Sequence, residues 1–311
     1  MKKYLSIFYI IILLTASDAS GFTYYHEADS VRLIQDEPYN DGLPRNYRKC
    51  TGGFKREYKE MPDTTGLSAL NISGSSEFSD KSLPLIISSA NGSSVTILDL
   101  RQEMHGFLNG MPVSWYGKYD WADTALSREE VIKHEKLRLD SLSKNKIASV
   151  TKAIKKDKST DTFISFEDTL INVVSIRTEK ELTGEMNAGY FRITATDHRK
   201  PVTSDVDRFI NFVLSLKDNY WLHLHCHAGD GRTTTFMVMF DMMKNAKRVA
   251  FEDIINRQYL LGGIDLTKDE DFPSFDKQYA IERTEFLKSF YSYCKENADG
   301  FKTMYSNYIN K

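Results

Sequence analysis

Apolar positions in the second half of the chain change period several times. After Thr203-Ser204, Val206, Phe209, Ile210, Val213 and Leu214 recur at helical spacing, so Thr203 or Ser204 is the expected N-cap of a helix. Tyr220-Trp221-Leu222-His223-Leu224-His225 is a compact run of strand length that enters a Gly-containing loop. Beyond the loop, residues 233–246 are apolar and Met-rich and predict a helix, with Met237, Met239, Met242 and Met243 as core filler. Further helices are expected near 250–261 and 274–296. Upstream, Val95-Thr96-Ile97-Leu98-Asp99-Leu100 reads as a buried strand and residues 190–194 as a short one. Ser127-Arg128-Glu129-Glu130 has the pattern of a capping box and opens a helix to about Ser143. The pattern then breaks. Two strand-like runs, 147–154 and 162–176, flank a charged turn, so residues 145–178 predict a small antiparallel unit set into the chain. Residues 71–94 read as Ser/Gly-rich turns around Leu83-Pro84-Leu85-Ile86-Ile87, and 22–60 as a mixed polar and aromatic surface segment. Alternating strands and helices predict an α/β fold.

Composition alters this picture little. Of 311 residues 41% are apolar and 27% charged, which excludes a disordered chain, a collagen-like repeat or a coiled-coil rod. With 41 basic and 43 acidic side chains, there is no global electrostatic footprint for nucleic acid. The first residues are different in kind. Lys2-Lys3 precedes an apolar stretch from Tyr4 to Leu14, and Ser17 and Ala19 then stand at the −3 and −1 positions of a cleavage site. Such a stretch is too short for a permanent membrane anchor, which needs about 20 residues. Residues 1–19 are therefore expected to be a signal peptide, and the rest an exported, soluble periplasmic or secreted protein.

The candidate chemistry lies in His225-Cys226-His227-Ala228-Gly229-Asp230-Gly231-Arg232-Thr233-Thr234. Cys and Arg six apart are weak evidence alone. Here a strand precedes, a helix follows, and two glycines lie between. Gly229 and Gly231 are expected to let successive N–H groups turn inward, giving His227, Ala228, Gly229, Asp230 and Gly231 as phosphate-binding positions. The helix N-terminus adds unpaired donors and positive dipole. Arg232 can grip two phosphate oxygens with its planar fork. The same donors favour Cys226 as thiolate, and Thr233 is placed to hydrogen-bond the sulfur. His225 is expected to support the loop by bonding its carbonyls. His223 carries no assigned role, and none is assigned to the ring of His227.

This loop resembles the signature of the cysteine-dependent phosphatases of the protein-tyrosine-phosphatase superfamily. The resemblance implies a phosphocysteine intermediate and an Asp acid on a separate loop. Asp197, in Tyr190-Phe191-Arg192-Ile193-Thr194-Ala195-Thr196-Asp197-His198-Arg199-Lys200-Pro201, fits that role. A second block, Asp99-Leu100-Arg101-Gln102-Glu103-Met104-His105-Gly106 through Val113-Ser114-Trp115-Tyr116 and Asp120-Trp121-Ala122, narrows the likeness. With it, residues 43–300 resemble the tyrosine-phosphatase-like phytases, which are myo-inositol polyphosphate phosphatases. The resemblance implies a phosphatase domain over residues 20–303, a small, partly open β-barrel inserted near 145–178, and a tail at 304–311. It also implies an electropositive pocket, with Arg48, His198, Lys268 and Lys277 as substrate-binding candidates and Asp99 orienting a substrate hydroxyl or phosphate through Arg or water. The sequence departs from the family pattern at Asp230, a carboxylate inside the phosphate loop, and after Gly262-Gly263, where Lys268 and Lys277 are hard to align.

No cofactor is implied. The histidines and cysteines lack zinc spacing, and the Asp-rich stretch 265–271 lacks the calcium-loop pattern. Cys50 and Cys294 leave a disulfide open, since spacing cannot fix their distance. Three functions fit the residues: a phytase releasing phosphate from inositol hexakisphosphate and lower inositol polyphosphates, a protein-tyrosine or phosphoinositide phosphatase, and a non-catalytic inositol-phosphate-binding module. The expected partner is a small phosphorylated substrate, with no nucleic acid and no stable membrane anchor.

Overall fold

Two sheets, one mostly parallel and one mostly antiparallel, organise the computed structural model, which describes residues 31–39, 41–157, 162–268 and 276–310. The leader expected at residues 1–19 and part of the Asp-rich stretch lie outside the described residues.

The parallel sheet carries the chemistry. Its strands are β2 (Arg48–Lys49), β3 (Ile72–Ser75), β4 (Ser94–Asp99), β10 (Gly189–Arg192) and β11 (Tyr220–His225), in the order β10-β4-β11-β3-β2. All neighbours are parallel except β2, which runs against β3. Burial along β4 and β11 explains their apolar runs, as expected for strands covered on both faces, and β3 is buried throughout although Ile72 is its one large apolar residue. The register pairs His225 with Asp99 and Asp99 with Arg192, so β11, β4 and β10 end side by side. The loops leaving those carboxyl ends meet, as ligand sites do in open parallel sheets.

Helix α5 (Gly231–Asn245) follows β11 and is buried almost throughout, so its methionines are core, as the pattern predicts. It packs with α6 (Phe251–Leu260), α7 (Lys277–Glu296), β3 and β11. Helix α4 (Thr203–Ser215) presents Val206, Phe209, Ile210 and Val213 to the same core. Its N-cap is Val202, without a side-chain cap, in place of the expected Thr203 or Ser204. Helix α2 (Arg128–Ser143) has both capping-box bonds between Ser127 and Glu130. Among the described residues no helix is long and apolar enough to cross a membrane.

The second sheet corrects the extent of the expected insertion. Strands β7 (Ile147–Asp157), β8 (Thr162–Asn172) and β9 (Ile176–Arg177) do form there. They share one six-stranded sheet with β1 (Arg32–Gln35), β5 (His105–Leu108) and β6 (Met111–Tyr116), in the order β8-β7-β1-β6-β5-β9. The unit is thus drawn from three separated stretches of chain. Two short helices, α1 (Leu83–Ser88) and α3 (Glu179–Glu185), cover a smaller core built on Phe78, Phe107 and Trp221. The C-terminus also departs from a tail. Residues 305–308 form α8 (Tyr305–Tyr308), whose Tyr305 is buried in the main core and whose Ser306 N–H bonds Asp207.

Candidate active site

Residues 226–232 bend from the end of β11 into the start of α5, with Cys226 at the bottom and Arg232 in the first helical turn. Gly229 has φ +77°, and a Cβ there would lie 2.2 Å from the backbone N of Ser76, so the bend requires glycine. Gly231 differs from expectation. It starts the helix with no positive φ, and an added Cβ would first meet Arg283 at an ordinary 3.7 Å.

Cys226 is buried, and the Thr233 hydroxyl donates to its sulfur at 3.2 Å. Arg232 is held from two sides. Its two terminal nitrogens donate to Glu103 Oε2 and Oε1 at 2.6 and 2.9 Å, which fixes the guanidinium plane. Its Nε lies 2.9 Å from Asp197 Oδ1. Asp197 follows β10, so the strand register brings it over the phosphate loop. Burial pushes its carboxyl up, but the Arg232 and His198 cations outweigh burial and hold it below the usual carboxylate range. The structure brings Cys226, Arg232, Thr233 and Asp197 together.

The basic candidates divide. His198 has φ +63° and links Asp197, 3.5 Å from its Nε2, to Asp276, 3.1 Å from its Nδ1. Arg48 is 1% exposed and supports the loop from within the protein, donating to the Gly229 carbonyl at 2.8 Å and to Thr234 Oγ1 at 3.0 Å. That is a correction to its substrate-facing role, since its donors are turned to loop and helix. Lys268 is exposed and 3.6 Å from Asp265, and Lys277 is exposed at the start of α7. Neither is shown converging on the loop.

Asp99 is placed to act only through other side chains. It is fully buried beneath the site, accepting from Tyr190 Oη at 2.7 Å and from the Arg101 N–H at 2.8 Å, with Arg192 Nε at 3.1 Å. A side chain so enclosed can reach a substrate only through a neighbour such as Arg192. His225 bonds a carboxylate in place of loop carbonyls: its Nε2 meets Glu179 at 2.8 Å, while Glu77 lies 3.6 Å from Nδ1 as a charge without a hydrogen bond. Burial lowers its pKa, but those carboxylates win and raise it to about 9. His223 bridges Ser73 and Ser75 and is held neutral by burial, with His225 and Arg48 adding to the effect.

Asp230 is half-buried, and Asn46 donates to both its carboxylate and the Ala228 carbonyl. Burial raises its pKa against the pull of Arg48, Arg45 and Arg56. His227 is the unexpected charge. Its Nδ1 lies 2.8 Å from Asp120, and its Nε2 is 3.6 Å from Asp36. Burial works against protonation, but Asp120 and Asp36 prevail and push its pKa up to about 9. Sequence reasoning also passed over Glu103, although it stood within the block quoted for the family. Glu103, Asp120 and His227 offer ligand atoms close enough to share an ion, but Glu103 is already committed to Arg101 and Arg232. Cys50 and Cys294 are buried free thiols, so they form no disulfide.

Comparison with known proteins follows the same geometry. Residues 98–244 match the PTP-like phytase family, described as inositol hexakisphosphate. A PTP-like phytase from Bdellovibrio bacteriovorus has 33% sequence identity and a TM-score of 0.70, and the match covers 90% of this chain and 95% of that one. The chain belongs to the PTP-like phytase family. The PTP-like myo-inositol phosphatase of Mitsuokella multacida, solved with myo-inositol-(1,3,4,5)-tetrakisphosphate, has 38% identity and a TM-score of 0.84 over 92% of this chain and 48% of that chain. Effector protein hopD2 of Pseudomonas syringae pv. tomato is 30% identical over 254 residues, 80% of this chain and 53% of its own length. The chain thus spans about half the length of those two relatives.

Proposed function

We propose that the chain is an exported phosphatase that releases phosphate from myo-inositol hexakisphosphate and lower inositol polyphosphates through a phosphocysteine intermediate. One observation carries this reading: Asp197 Oδ1 lies 2.9 Å from the Nε of the arginine that closes the Cys226 loop, so acid and phosphate site share one side chain. The Cys226 thiolate attacks phosphorus, and the bond from phosphorus to the inositol oxygen breaks as Asp197 gives that oxygen its proton. Water then attacks the phosphocysteine, Asp197 takes the water proton, and the S–P bond breaks to return the thiolate, which Thr233 hydrogen-bonds. Arg232, its plane fixed by Glu103, and the loop N–H groups stabilise the phosphoryl charge in both steps. No step calls for a metal.

Asp197 must enter the first step protonated. The charge of Arg232 opposes this in the resting protein, whereas an incoming phosphate neutralises that charge and adds its own, raising the proton affinity of Asp197. Activity is therefore expected to peak below neutrality. The inositol phosphate bound to the Mitsuokella relative supports the substrate class. Phosphate release near pH 5 from inositol hexakisphosphate, beside a phosphotyrosine peptide, tests it. Faster release from the inositol, with a maximum in the acidic range, is the expected result. Preference for the peptide would discard the substrate, and a maximum above neutrality would discard the acid assignment.

A further inference from the structure

The turn at residues 117–121 touches both halves of the candidate site. Tyr119 and Asp120 are consecutive residues at positive φ, +60° and +58°, which side-chain-bearing residues seldom adopt in succession. This backbone sends three neighbouring side chains to three targets. Tyr119 packs edge-on to the His198 ring, Asp120 pairs with His227 of the phosphate loop, and the Trp121 indole N–H donates to the Asp197 carbonyl at 3.1 Å. The Trp121 ring is half-buried and packed on two sides. Tyr279 of α7 meets its edge at 5.8 Å, and the Arg199 guanidinium lies over it at 4.6 Å. The acid loop is also tied on either side of Asp197, by the Thr196 hydroxyl donating to Gln102 at 2.7 Å and by Arg283 donating to the His198 carbonyl.

We propose that Trp121 is a positioning residue, holding the loop that carries Asp197 where its carboxyl can deliver a proton to the leaving oxygen. This role rests on Asp197 being the general acid. Asp120 anchors the turn to the phosphate loop, so Trp121 transmits a fixed reference from that loop to the acid loop. Residues 119–121 thereby set the distance between the group that makes the new bond and the group that assists the old one to break. Backbone contact at the Asp197 carbonyl leaves the carboxyl itself available for proton transfer.

Leaving-group dependence tests this role in the full chain. The value of kcat/KM reports steps up to phosphorylation of Cys226, and only a poor leaving group, such as an inositol alkoxide, depends strongly on a proton donor there. The readout is the ratio of kcat/KM on inositol hexakisphosphate to kcat/KM on an aryl phosphate with an acidic phenol. Asp197→Asn is expected to lower the ratio about 100-fold. Trp121→Phe keeps a ring but loses the N–H, and is expected to lower it about five- to tenfold, the worth of one neutral hydrogen bond. A fall in the ratio for both variants supports the proposal. If Asp197→Asn lowers the ratio and Trp121→Phe leaves it constant, whether or not both rates drop together, Trp121 has no positioning role. If Asp197→Asn itself leaves the ratio constant, the acid assignment fails and the role of Trp121 fails with it.

Discussion

Between Asp120 and Asp36, His227 is held as an imidazolium within the phosphate loop up to about pH 9. Its native pKa stands above the ordinary 6.5, so its stabilising contribution is complete below pH 6.5 and is lost as pH rises through about 9. His227→Gln is therefore expected to cost more stability at pH 6 than at pH 9.5, measured by urea unfolding at both. An equal cost at both pH values would contradict the charged pair. Neither partner was legible in the sequence, because Asp120 lies 107 residues away and reaches His227 only through a left-handed turn. Cys226, Arg232 and Thr233 were legible because their chemistry fits within eight consecutive residues. Arg48 was misread for the opposite reason. A charged residue in a sequence carries no mark of burial, and Arg48 is turned to protein partners.

At the level of elements, the junction of β11 and α5 depends on one glycine rather than two. Gly229→Ala would set a methyl group 2.2 Å from Ser76 N and 2.4 Å from the Ser75 carbonyl carbon at a φ of +77°. A loss on the order of 1–3 kcal/mol in stability is expected, with a fall in turnover because the displaced backbone frames Cys226. Thermal unfolding and kcat/KM check this together, and wild-type values in both would refute the strained bend. The strand–loop–helix order around this junction was readable from hydrophobic period alone, as was α2 from its capping box. The hairpin of β5 and β6 was not read, although Asn109-Gly110, both at positive φ, is the dipeptide that favours such a turn. A second capping box, Thr178 with Glu181, opens α3 and was overlooked because the helix is only seven residues long.

Across the whole molecule, buried ion pairs connect the two sheets to the site. Arg101 is fully buried and donates to Asp36, Glu77 and Glu103, each at 2.8 Å. Glu103 passes the chain of charge to Arg232, while Glu179 joins His225 to His105. These partners come from the segment beyond β1, the loops after β3 and β4, and α3, so Arg232 is oriented by elements spread along the chain. No local pattern in a sequence reports such a network, whereas the α/β class follows from the alternating strand and helix patterns. The network brings the remote carboxylates to the loop to which the proposed function assigns phosphoryl transfer to Cys226. Rapid quenching of the wild-type protein with inositol hexakisphosphate in acid, followed by peptide mass spectrometry, tests that transfer most directly. The prediction is one phosphoryl group on the peptide bearing Cys226, and neither that adduct nor phosphate release from Cys226→Ser. Phosphate release with Cys226 unmodified, or undiminished release by Cys226→Ser, would contradict it.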